Sequence, residues 1–274
     1  MPRLTTFTRD GLVFDVDDTG PLDGPPVVLL HGFPTDRTSW QGISALLHDA
    51  GLRTLAPDQR GYSPGARPSG RAAYVMSELV ADVVALLDAA EVDRAHVVGH
   101  DWGGGVAWSL AGSHLDRVAS LTALSTPHPA AMNRAFRSFD QARRSWYMGA
   151  FQIPWLPERV LSVGFEAGLR RGGLPAEAAA HYAARMAEDR ALECAIGWYR
   201  ALPLSRGSAH RVHAPTTYVW GSRDPFLGRH AVELTREHVT GEYRFVELVE
   251  GHWLPERAAP ECAAEIIARV QSVG

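Results

Sequence analysis

Short apolar runs, evenly spaced, dominate both ends of this chain and give way in the middle to an Ala- and Arg-rich stretch. Val27-Val28-Leu29-Leu30 follows Pro25-Pro26 as an unbroken apolar run, the pattern of a strand buried on both faces. Residues 52–56, 95–98 and 118–124 repeat that pattern, and residues 216–220 and 244–249 resume it near the C-terminus. Residues 4–8 and 12–17 flank Asp10-Gly11, a hairpin signal. Between the strands, residues 72–91 carry Val75, Leu79, Val83, Leu86 and Leu87 on one helical face. Residues 103–111 predict a second helix and residues 258–270 a closing one. Strands alternating with helices predict an α/β fold with a mostly parallel sheet covered on both faces. Residues 128–208 break the rhythm. They are mostly helical in pattern and rich in aromatics, and read as a helical lid inserted between two strands. The expected organisation is a core of residues 1–127 and 209–274 with a cap of residues 128–208.

Composition narrows the function classes. The chain has 274 residues, 46% apolar and 21% charged, as expected of one large globular domain. Net charge is −4 without a basic stripe, which argues against a nucleic-acid partner. All 27 basic residues are Arg, so no lysine is available for a Schiff base or a P-loop. Cys194 and Cys262 make neither a disulfide framework nor a metal spacing, and the His210/His213 pair lacks nearby ligand partners. No metal and no organic cofactor are expected. The N-terminus has no signal-peptide core and no apolar run reaches the ~20 residues of a membrane span. A cytoplasmic protein without membrane contact is the default expectation, and a homodimer is left open.

The chemistry concentrates at strand ends. Gly99-His100-Asp101-Trp102-Gly103-Gly104 follows the strand at 95–98 and opens a helix. Small residues flank the centre because a strand-to-helix turn this tight has no room for side chains. Its central side chain is thrust out near the positive end of the following helix. Asp224 follows the strand at 216–220, and His252 follows the strand at 244–249. Nucleophile, acid and histidine thus occur in the chain order of an α/β-hydrolase. His31-Gly32-Phe33-Pro34 directly follows the strand at 27–30. The backbone amides of Phe33 and Trp102 are therefore candidates for an oxyanion hole, and Phe33–Pro34 for a cis bond.

These motifs, with Asp58-Gln59-Arg60-Gly61-Tyr62 and Gly251-His252-Trp253, resemble the α/β-hydrolase superfamily, and most closely its soluble epoxide hydrolase branch. The resemblance implies an eight-stranded, mostly parallel sheet flanked by helices, with an inserted helical lid. Aspartate at position 101 bears on the reaction class. A serine attacking an sp³ carbon would end as an ether, whereas a carboxylate gives an ester that activated water can cleave. Asp101 thus argues against esterase or peptidase chemistry and toward an epoxide or an alkyl halide. His252 is the expected base, held by Asp224.

Soluble epoxide hydrolases place two lid tyrosines over the nucleophile. The segments Trp146-Tyr147-Met148 and Gly197-Trp198-Tyr199-Arg200 resemble those bearing them, which implies Tyr147 and Tyr199 as ring-opening donors. Trp102, Phe33, Trp253 and Phe151 are the expected substrate contacts, for a small apolar or aromatic epoxide. Trp40, Phe139, Trp146 and Trp155 are further candidates for an aromatic pocket. Haloalkane and haloacid dehalogenases remain the alternative for the same nucleophile. Phe33 replaces the usual halide-binding amide and Trp102 the usual arginine, and both departures count against them. Epoxide opening by a substrate's own nucleophile and a non-catalytic receptor are the other readings. The turn Ser63-Pro64-Gly65-Ala66-Arg67-Pro68 departs from the family pattern and is expected near the site mouth.

Overall fold

Alternate residues of the inner strands feed two separate cores, because successive side chains of a strand point to opposite faces. Val28 and Leu30 join one apolar cluster, while Val27 and Leu29 join the other. The computed structural model describes residues 3–205 and 210–273. It contains β1 (Thr6–Arg9), β2 (Leu12–Thr19), β3 (Pro26–Leu30), β4 (Arg53–Pro57), β5 (Ala95–His100), β6 (Val118–Leu124), β7 (Thr216–Gly221) and β8 (Tyr243–Leu248). These form one eight-stranded sheet in the order β1-β2-β4-β3-β5-β6-β7-β8. The first two pairings, β1–β2 and β2–β4, are antiparallel and the rest parallel.

Helices cover both faces. α1 (Gln41–Asp49) lies on one face with the C-terminal helix, and α2 (Met76–Ala89) and α3 (Trp102–Ser113) lie on the other. α1 carries Ile43, Leu46 and Leu47 at helical spacing, and all three pack into the core. The helix expected over 72–91 is shorter than predicted. Residues Arg71–Tyr74 form a 3₁₀ turn, and Val75 is extended at φ −66° and ψ 150°. The physical reason lies in Tyr74, whose ring is buried and whose hydroxyl donates to the Pro68 carbonyl, drawing this segment into the loop before α2.

Between β6 and β7 the chain inserts α4 (Pro129–Ala135), α5 (Phe139–Arg144), α6 (Trp146–Ala150), α7 (Leu156–Leu161), α8 (Phe165–Arg171), α9 (Ala176–Met186) and α10 (Ala191–Ala201). The expected end of this region at 208 lies outside the described residues. α9 is seated on the core by Arg185, which reaches Asp36 at 3.3 Å and Asp58 at 3.1 Å. α10 is seated by the Trp198 indole, which donates to the Arg60 carbonyl at 2.8 Å. α11 (Arg229–Thr235), α12 (Leu254–Arg257) and α13 (Ala259–Gln271) complete the chain. Among the described residues, no helix is long and apolar enough to cross a membrane.

The turn at 63–68, expected near the site mouth, packs between β2 and the insertion. Ser63 is buried, accepting from the Asp15 amide and donating to the Asp58 carbonyl, and Gly65 packs on Val13. Arg67 then crosses to Glu188 and the Asp189 carbonyl just beyond α9. These bonds tie the turn to both β2 and the insertion.

Candidate active site

Parallel strands of one sheet present their C-terminal ends on the same side, so loops far apart in sequence meet there. The loops after β5, β7 and β8 bring Asp101, Asp224 and His252 together. Asp101 sits between β5 and α3 with φ 50° and ψ −124°. That conformation costs a non-glycine residue about 1–3 kcal/mol. Close packing of glycines holds it. A Cβ at Gly99 would overlap the Gly103 carbonyl, one at Gly103 the Leu30 carbonyl, and one at Gly32 the Asp101 side chain. Gly103→Ala is therefore expected to push α3 off β3 and destabilise the protein by about 1–3 kcal/mol. A lowered urea midpoint checks this, and an unchanged midpoint would refute it.

Each carboxylate places one oxygen on the imidazole and the other on backbone amides. Asp101 Oδ1 accepts from the Phe33 amide at 2.8 Å, and its Oδ2 lies 3.3 Å from His252 Nε2. His252 Nδ1 is 2.7 Å from Asp224 Oδ2. Asp224 Oδ1 accepts from the amides of Phe226 and Leu227 at 2.7 and 3.0 Å. Burial pushes the His252 pKa down, but the charges and hydrogen bonds of Asp224 and Asp101 outweigh it and raise the pKa to about 10. Burial pushes the Asp101 carboxyl up, and His252 with the Phe33 amide brings it below the ordinary carboxylate range. The two carboxylates thus favour the imidazolium form of His252 facing an ionised Asp101.

The Phe33 amide already contacts Asp101, and Phe33–Pro34 is cis. The Trp102 amide opens α3 and so has no carbonyl partner within the helix. Tyr147 on α6 and Tyr199 on α10 both face the cleft, with ring centroids 6.0 Å apart. Burial and then the Asp101 charge raise the Tyr147 pKa. Burial, Tyr147 and Asp101 do the same for Tyr199. Both phenols stay protonated throughout the neutral range.

The cleft has a volume of about 700 Å³ and its walls are mainly aromatic and aliphatic. Phe33, Phe151, Trp146 and Trp253 line it. Trp102 does not. Its ring packs edge-on against Trp198 and Tyr199, at 5.7 and 4.9 Å between centroids, and so backs Tyr199. Trp40 belongs to the core beneath α1, and Phe139 and Trp155 are exposed on the insertion. Size and aromaticity do not separate core, rim and pocket, because all three take the same side chains.

Three side chains around the site were not singled out from the sequence. His100 Nε2 donates to the His252 carbonyl at 2.8 Å, and the Ser125 hydroxyl donates to the same oxygen at 2.8 Å. Burial and the charge on His252 hold the His100 pKa down at about 4, so it stays neutral. The Thr126 hydroxyl donates to the Asp101 carbonyl at 2.8 Å. The only signal for these was adjacency: His100 precedes the elbow residue, and Ser125-Thr126 ends the neighbouring strand.

Sheet order, elbow, insertion and the Asp101–His252–Asp224 constellation define the class. The family model for the alpha/beta hydrolase fold matches residues 25–258, and the chain belongs to that family. Within it, the chain belongs to the epoxide hydrolase-like branch. It is 31% identical to epoxide hydrolase A of Mycobacterium tuberculosis, covering 97% of this chain and 96% of that protein. It is 34% identical to the AB hydrolase superfamily protein YfhM of Bacillus subtilis, covering 89% and 90% of the two chains. The crystal structure of epoxide hydrolase A from Mycobacterium thermoresistibile superposes with a TM-score of 0.84 at 29% identity, covering 97% of each chain.

Proposed function

We propose that this protein hydrolyses small apolar or aromatic epoxides to vicinal diols through a covalent ester on Asp101. The observation that carries the reading is the division of labour at the Asp101 carboxylate. Oδ1 is pinned by the Phe33 amide and Oδ2 is turned toward His252. Oδ2 is thus the attacking oxygen, and Oδ1 already occupies the position where an ester carbonyl must sit for the oxyanion hole to act on it.

In the first stage Oδ2 bonds to a ring carbon and that carbon's bond to the epoxide oxygen breaks. The oxygen takes a proton from Tyr147 or Tyr199 and becomes a hydroxyl. Esterification removes the Asp101 charge, one of the two that hold His252 protonated. His252 then gives up its proton, which restores the phenol, and becomes a base. In the second stage neutral His252 takes a proton from water, and hydroxide adds to the Asp101 carbonyl carbon. The amides of Phe33 and Trp102 stabilise the oxyanion. Collapse breaks the ester, His252 returns the proton to the departing alkoxide, and the regenerated acid reprotonates His252. Asp224 orients the ring throughout.

Support comes from the site geometry together with the similarity to proteins named epoxide hydrolases. Phe33, apolar beside the nucleophile, disfavours halide as the leaving group. Single-turnover reaction of an aryl epoxide in ¹⁸O-water is the test. The first diol should carry ¹⁶O from Asp101, with ¹⁸O appearing in the Asp101 carboxylate. Label in the first diol would mean direct attack by water and would overturn the covalent mechanism.

A further inference from the structure

We infer that Gln141, on the inserted helix α5, is a positioning residue that holds the loop of the acid Asp224 in register with His252. This rests on the catalytic reading of Asp224 above. Gln141 is 1% exposed, although it lies among half-exposed and exposed neighbours. Its amide nitrogen donates to the Phe226 carbonyl at 2.8 Å and to the Ser145 hydroxyl at 2.8 Å. Its carbonyl oxygen accepts from the Gly228 amide at 2.9 Å. The side chain thus meets the backbone of residues 226–228 as a neighbouring strand would, with one donor and one acceptor.

The same short loop carries the two amides that bind Asp224 Oδ1. Phe226 is gripped from both sides: its amide donates to Asp224 and its carbonyl accepts from Gln141. Its ring packs edge-on against His252 at 5.1 Å and against Tyr147 at 5.9 Å. One turn further along α5, Arg144 donates to the Asp224 carbonyl at 3.0 Å while Asp140 holds its guanidinium at 2.9 Å. Gly228 fits this junction because a Cβ there would press on Asp140, Gln141 and Arg144. α5 is followed directly by α6, which bears Tyr147. The insertion therefore sets the acid, the histidine and one ring-opening donor relative to one another through the buried Gln141 amide, with the Arg144 guanidinium beside it. Only a group that both donates and accepts can do this. A carboxylate would lose the bond to the Phe226 carbonyl, and an apolar side chain would leave the Phe226 carbonyl, the Ser145 hydroxyl and the Gly228 amide without this partner.

The test compares Gln141→Met, which keeps the shape without the bonds, and Gln141→Glu, which keeps only the acceptor. Phe139→Ala, on the same helix with an exposed side chain outside the cleft, is the control. Two readouts are taken on the full chain, after circular dichroism has established native folding. The first is the rate of ester cleavage after rapid mixing with styrene oxide, followed by intact mass. Both Gln141 variants should slow cleavage about tenfold or more, so that the ester accumulates, whereas Phe139→Ala should not. The second is the His252 titration by NMR on histidine-labelled protein, assigned with His252→Gln. His252 is faced by Asp101, Asp224 and His100, with Glu256 nearby, and only Asp224 is held by the loop in question. The midpoint should fall in Gln141→Met, which adds no charge, and stay put in Phe139→Ala. Folded Gln141→Met with wild-type cleavage and an unmoved midpoint overturns the inference. If wild type neither forms an ester nor releases diol, the epoxide reading falls, and the titration alone decides the role of Gln141.

Discussion

His252→Gln protein mixed with styrene oxide should gain the mass of the whole epoxide, keep it, and carry it on Asp101. The asymmetry of the site makes this the largest separable effect. Ring opening needs the Asp101 carboxylate and a phenol proton, neither of which His252 supplies. Ester cleavage needs a base beside the Asp101 carbonyl, and His252 Nε2, 3.3 Å from Oδ2, is the group in place. Removing such a base slows its step about 10²–10⁴-fold, so the ester outlives the experiment. Asp101→Ala should form no adduct and no diol. Intact-mass spectrometry with peptide mapping reads both variants. An adduct elsewhere than Asp101, or diol formation by Asp101→Ala at the wild-type rate, would remove the covalent mechanism. A bromoalkane provides the contrast: a gain of the alkyl group alone, with bromide released, would assign the site to dehalogenation.

Replacing both Tyr147 and Tyr199 by Phe should nearly stop ring opening, with each single change costing less than the pair. Both phenols face the same cleft, within 6.0 Å of one another by centroids. Either can therefore polarise one epoxide oxygen while the other supports it. Their raised pKa values keep both as proton donors at working pH. Losing general acid catalysis removes about 10²–10⁴-fold from the first stage. The second stage uses neither phenol, so no ester should build up in the double variant. Stopped-flow quenching of the tyrosine and tryptophan fluorescence on alkylation, compared with diol release, distinguishes the stages. A double variant that alkylates at the wild-type rate would leave the phenols as packing residues only.

Much of this organisation was legible along the chain because it is local. The buried strands announce themselves as unbroken apolar runs, since a strand covered on both faces has no polar positions. The elbow is legible because its turn excludes side chains two positions to either side of Asp101, and that exclusion is written as glycine. Asp224 and His252 are legible as residues just past two strand ends, once the order of the strands is granted. Tyr147 and Tyr199 were assigned by likeness of their flanking residues, since nothing in their own periodicity separates them from packing tyrosines.

The tertiary structure decided what depends on distance across the chain. Whether Trp40, Trp102 and Trp253 lie in core, behind a tyrosine or in the cleft depends on which helix covers which face, and their chemistry is the same in each place. The turn at 63–68 could be placed only once Ser63 and Arg67 had found partners on β2 and beyond α9. His100, Ser125 and Gln141 act through backbone carbonyls and amides of residues 85 to 152 positions away. Every residue carries those groups, so no local pattern marks which one a side chain will meet. Local sterics and hydrophobic period therefore determined the sheet, the elbow and which residue stands at its centre. Only the folded chain determined which residues hold that machinery in place, because those contacts are long-range and made to the anonymous atoms of the backbone.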